Sequence, residues 1–157
     1  MDWILANKAV LIGFHLGAAI LGIDAFLWVL GELMAGDVHA GRARFAGLLG
    51  VIGLIGSWLL GGYYYLNYYG TLVKPAILKG SAPWAHAIAM EAKEHIFLFV
   101  VPMAITVLLF LMVDRATFAT YRIKNSLRVL VGVIAVLTFS IGAMGYIISA
   151  AARWATI

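Results

Sequence analysis

The stretch 8–34 reads KAVLIGFHLGAAILGIDAFLWVLGELM. Inside it the ionisable side chains are His15, Asp24 and Glu32, and everything else after Lys8 is apolar or small. A helix that crosses a bilayer needs roughly 20 predominantly apolar residues, and this stretch supplies them. Asp2 and Lys8 precede a long apolar run, with no small-residue cleavage site after a short one. The run therefore reads as a first membrane span and not as a secretion signal.

Three further stretches of the same kind lie at 45–69, 90–113 and 126–152. Hydrophobic residues make up 64% of the chain, charged residues 11%, and the mean hydropathy is +1.02. One soluble core in 157 residues cannot hide that much apolar surface, so lipid is the expected solvent. The expected fold is all-α: a single-domain integral membrane four-helix bundle over residues 1–157. There is no cysteine, which excludes disulfides, thiolate metal sites, iron–sulfur clusters and covalently attached haem. The net charge of +4 is spread over several loops without a basic, aromatic-interleaved stripe, so nucleic acid is not an expected partner.

The connections at 36–44 and 114–125 are short, polar and basic. The connection at 70–89 holds Pro75, Gly80, Pro83 and Trp84 and is apolar enough to lie along the membrane surface. Four spans place both termini and 70–89 on one side. The other side carries Arg42, Arg44, Arg115, Arg122, Lys124 and Arg128, against Lys8, Lys74, Lys79, Lys93 and Arg153. By the positive-inside rule the termini face away from the cytoplasm, as for a protein of a bacterial inner membrane.

Polar groups inside a span are functional candidates. His15 and His95 lie at similar depth in the first and third spans, which enter from the same side. Leu11, His15, Ala18, Ala19 and Gly22 share one face of the first; Glu91, His95, Phe99, Pro102 and Thr106 share one face of the third. With both faces turned inward, the two imidazoles suit the axial positions of one haem b. The plainer reading is two core histidines bonded to backbone. His86 is a less favoured metal ligand, and His39 sits in the loop at the opposite end, leaving no second pair.

In the second span Gly50, Gly53, Ser57 and Gly61 form a small-residue stripe. It serves close helix packing, or else a flat cofactor lies on Gly53 and Ser57. The same span ends in Tyr63, Tyr64, Tyr65, Leu66, Asn67, Tyr68 and Tyr69. These form an aromatic belt, or else the tyrosine hydroxyls, Tyr64 and Tyr68 foremost, and Asn67 line the entrance for a quinone or porphyrin beside His86 and Glu91, with Trp84 and the surface connection as its lid. Glu91 or Glu94 suits a partner to a histidine or a proton acceptor at a redox centre; Lys93 and Glu94 also suit snorkelling. A dinuclear carboxylate site lacks carboxylates on the other spans.

The motifs Phe14-His15-Leu16-Gly17 and Trp84-Ala85-His86, with Lys93 further on, resemble those of small helical haem-b membrane proteins. These are the relatives of the copper-resistance D group, the membrane protoporphyrinogen oxidase type included. The resemblance covers the order of spans and those two motifs, and it implies a haem held by the first and third spans. The chain differs in carrying Glu91, Glu94 and His95 together, in its tyrosine cluster, and in lacking a fifth span. The leading expectation is a haem-b electron-transfer protein, quinone-linked, acting as part of an oxidoreductase, with catalytic residues unassigned. Two others stand beside it. One is a cofactor-free accessory subunit, homo-oligomeric or bound to a partner membrane subunit, with Asp24 turned outward. The other is a transition-metal transport or delivery protein using His15, His86, Glu91 and His95.

Overall fold

Lipid offers the backbone no hydrogen-bond partner, so an apolar chain closes its amide bonds within helices. The computed structural model describes residues 2–35 and 40–155, the side chains of Asp2, Arg115 and Ala119 excepted. Four helices are long and apolar enough to cross a membrane: α1 (Lys8–Met34), α2 (Ala40–Lys79), α3 (Ala85–Met112) and α4 (Ile123–Trp154). Among the described residues there is no strand, and the expected all-α four-helix bundle is the architecture found. His39, read as a loop residue, lies outside the described residues.

Each helix packs on its chain neighbours and α4 closes back on α1, so α1 and α3 lie across the diagonal of the bundle. Phe26, Leu33, Leu54, Val100, Val107 and Ile134 fill the centre. Large apolar side chains also point outward, such as Phe99 at 68% exposure and Leu109 at 63%. Such an exterior suits lipid and not water.

Helix ends are settled locally. The Asn7 side chain accepts from the backbone N–H groups of Ala9 and Val10, which caps α1. At the far end, basic side chains serve the orphan carbonyls of helix C-termini. Arg128 donates to Leu33 O at 2.7 Å and Lys124 to Ala35 O at 2.7 Å, closing α1. Arg44 donates to the carbonyls of Leu111, Met112 and Val113, closing α3. Part of the basic character of these loops is therefore helix capping.

The segment 70–89, expected to lie on the membrane surface, is instead helical on both sides of a tight turn. α2 continues to Lys79 and α3 starts at Ala85. Pro75 does not stop α2, because it sits in the first turn of the final segment Lys74–Lys79, where its missing N–H is tolerated. Two stretches, Tyr65–Val73 and Ala85–Met90, are wound wider than an α-helix, with the π-type i→i+5 pattern; Lys74 N–H, for example, bonds Tyr69 O. They face a second apolar cluster of Ile77, Met90, Ile148 and Ala151 that ties α2 and α3 to the end of α4.

Candidate functional site

The glycine stripe of α2 is covered by α1 along its length. A Cβ added at Gly53 would lie 2.6 Å from Gly22 N and 2.9 Å from Ala18 O, and one at Gly50 would lie 2.7 Å from the Phe26 ring. Ser57 is fully buried. The packing reading of the stripe holds, and a flat cofactor on Gly53 and Ser57 is corrected: α1 occupies that face, backbone against backbone.

His15 is held in this same seam. Its Nδ1 lies 2.8 Å from Ser57 O and 3.1 Å from Ser57 Oγ. A carbonyl only accepts, so Nδ1 carries a proton. The ring rests on Gly61, where a Cβ would come within 2.8 Å of Cε1.

His95 behaves differently. It is exposed, and its Nδ1 donates to Glu91 O of its own helix at 2.7 Å. Glu91 is exposed too, and the Glu91–His95–Phe99 face looks outward; the buried face of α3 is Phe97, Val100, Ala104 and Val107. This corrects the expectation that the face points inward. The reason is that lipid-facing positions are as apolar as core positions, so composition does not separate the two. The diagonal partners α1 and α3 turn His15 toward α2 and His95 away from the bundle. A haem b buried between His15 and His95 does not fit this packing. Among the described residues, no three histidine or acidic side chains come together to hold a metal ion, which also removes a joint site of His15, His86, Glu91 and His95.

What the structure does assemble is a polar cluster at the wide-wound end. Tyr69 is 2% exposed and His86 6%. The Tyr69 hydroxyl lies 3.0 Å from His86 Nδ1. Tyr69 stacks on Tyr65 at 5.2 Å with the rings 17° apart. The Glu94 and Glu91 carboxylates both stand close enough to the Tyr65 and Tyr69 phenols to act on them electrostatically. Lys93, read as a snorkelling side chain, turns into the bundle instead. Its ammonium lies 3.7 Å from where a Cβ of Gly145 would be, in electrostatic range of Glu94 and His15.

The tyrosines singled out from sequence, Tyr64 and Tyr68, pair with each other at 5.8 Å on the neighbouring side, and Tyr68 donates to Leu5 O at 2.7 Å. Tyr68 binds the chain's N-terminal turn, while Tyr64 packs against the apolar cluster that contains Tyr69. The sequence places Tyr65 and Tyr69 in the tyrosine run without singling them out as site residues, and it does not mark Gly145. No α-helical periodicity reveals them, because the wide turns shift the phase of the helix where Tyr65 and Tyr69 stand. Such turns occur often at functional sites.

The chain matches no protein-family model, no curated protein and no solved structure.

Proposed function

We propose that the protein is a quinone-linked redox component of an energy-converting membrane, working at the Tyr65–Glu94 end of the bundle. The observation that carries this reading is the line Glu94, Tyr65, Tyr69, His86, which runs from half-buried carboxylate to buried imidazole across two helices. Glu91 and His95 are exposed beside it, so the outer end of the line is open to molecules dissolved in lipid. The donor set fits a quinone head group: a phenol that donates, carboxylates that accept, and aromatic faces nearby. A bound quinone would supply two-electron chemistry coupled to proton uptake or release.

The chain's own part is to handle the protons. Glu94 takes or gives a proton at its carboxylate. The Tyr65 hydroxyl orients that carboxylate. Tyr69 and His86 form a second donor–acceptor pair behind it, and Lys93 offsets the charge of Glu94 from inside the bundle. The positive-inside bias supports a bacterial inner membrane with this end on the non-cytoplasmic face.

A direct test is binding of decylubiquinone to the purified protein, read by quenching of tryptophan emission. Saturable quenching, weakened about tenfold in Glu94→Gln and Tyr65→Phe, is the expected result, since the first removes the charge on the acceptor and the second the phenol donor. Quenching no greater than free tryptophan in the same detergent, or equal in all three proteins, sinks the reading. An absorption spectrum of the same samples tests the haem b expectation through its Soret band.

A further inference from the structure

Asp24 stands near the middle of α1, on the side away from the bundle. It is exposed, and among the described residues no side chain or backbone group bonds it. The other acidic groups within the long helices and off the outer rim have company: Glu32 meets Arg42 at 2.9 Å and Trp28 Nε1 at 3.0 Å, and Glu94 meets Tyr65 and Lys93. Ten residues separate Asp24 from Met34. That is about 15 Å of helix, beyond what a short aspartate side chain can reach toward water. A carboxyl left there in lipid is costly whether charged or protonated, because neither form finds a hydrogen bond.

The rest of this face is built for close approach. Gly13, Gly17 and Gly31 fall within about 40° of Asp24 around the helix at 3.6 residues per turn. Nothing lies within 4 Å of a Cβ at any of the three glycines, whereas Gly22, Gly50, Gly53 and Gly61 are all filled by neighbours. A shallow apolar groove runs along the same side, with Gly13, Phe14, Gly17, Leu21 and Leu60 in its walls. Open glycines four apart on an apolar helix let a second helix come close, and a polar group in the seam fixes its register.

We propose that the outer face of α1, centred on Asp24, docks a transmembrane helix of a partner subunit that carries a lysine or arginine near the bilayer midplane. Charge complementarity selects this occupant. A second copy of the chain would bring carboxyl against carboxyl, and the chain's own intramembrane cation, Lys93, is turned into the bundle at the other end. The inference is independent of the quinone reading, which concerns α2 and α3.

The chain lacks cysteine, so Tyr121→Cys, at a 74% exposed position outside the spans, gives one labelling site. The labelled full-length protein is reconstituted in phosphatidylcholine vesicles with a designed leucine helix bearing one central lysine and an acceptor dye. Energy transfer measures association. The lysine helix is expected to bind about tenfold more tightly than its all-leucine twin, in line with polar contacts between membrane helices. Asp24→Leu removes the difference and Asp24→Asn reduces it; both keep the fold, since the exposed side chain has no hydrogen bond or ion pair within the bundle. Equal binding of the two designed helices to the unaltered chain overturns the proposal. So does a preference that survives Asp24→Leu, or Asp24-dependent self-association that the lysine helix does not compete away.

Discussion

The Tyr69 hydroxyl on α2 and His86 Nδ1 on α3 lie 3.0 Å apart in a region closed to solvent. One bond thus joins the two wide-wound stretches across the turn at Gly80–Trp84. Tyr69→Phe leaves the imidazole nitrogen buried without its partner, a loss of about 1–3 kcal/mol. Unfolding in mixed detergent micelles measures it. Removing both partners, as in Tyr69→Phe with His86→Leu, is expected to recover part of the loss. A double variant worse than the sum of the singles contradicts this account.

The α1–α2 seam predicts opposite fates for glycines on the two sides of one helix pair. Gly22 and Gly53 meet backbone to backbone, so Gly53→Leu has no flexible neighbour to displace and separates the helices. The expected cost is about 3 kcal/mol, at the upper end of what overpacking usually brings. Gly17→Leu, placed where the groove is open, is expected to leave monomer stability unchanged. Thermal unfolding of both variants decides it.

Arg44 serves three carbonyls at the end of α3, at 2.8, 3.4 and 3.3 Å. Arg44→Ala strips that cap and is expected to cost about 1.5–3 kcal/mol, the range for hydrogen bonds to a charged donor. Lysine offers a compact ammonium in place of a planar fork, so Arg44→Lys restores only part. Amide exchange at the end of α3 reads the fraying directly.

Asp114 heads the turn Arg115–Thr120 and accepts from Thr117 N–H at 2.9 Å. That backbone bond, joined by the Thr117 hydroxyl, holds its carboxyl below the ordinary carboxylate value. Its support for the turn is therefore full above the unfolded-state pKa and fades as pH falls through the lower folded one. The Thr117 amide is expected to lose protection, relative to its intrinsic exchange rate, as the pH falls. Asp114→Asn keeps a capping oxygen and should lose that pH dependence. Amide resonances tracked down in pH settle the point.

Hydropathy made the four helices and their order legible, because a long apolar run has few other uses. Their inner faces were legible only in part. α1 disclosed its buried side through Leu11 and Gly22, small and apolar groups opposite Asp24. α3 did not, since Phe99 facing lipid and Phe97 facing the core are the same side chain. The neighbourhood of Tyr65, Tyr69 and His86 was legible as a concentration of aromatic and ionisable residues near one membrane face. Which tyrosines meet was not, because two departures from α-helical winding decide it, and nothing in composition marks them. The basic loops read as topology alone, and their work as caps depends on carbonyls that no side-chain pattern displays.

The wide turns at Tyr65–Val73 and Ala85–Met90 have one more implication. Each accommodates a surplus residue that an ordinary helix of the same length would not hold. Deleting a single residue between Tyr64 and Lys74 lets that stretch relax into common winding, which re-aims the side chains inside it while the helix beyond keeps its phase. The four-helix frame would survive such a deletion, and Tyr69 would no longer find His86. A gain or loss of one amino acid is thus enough to make or unmake the cluster on an unchanged scaffold.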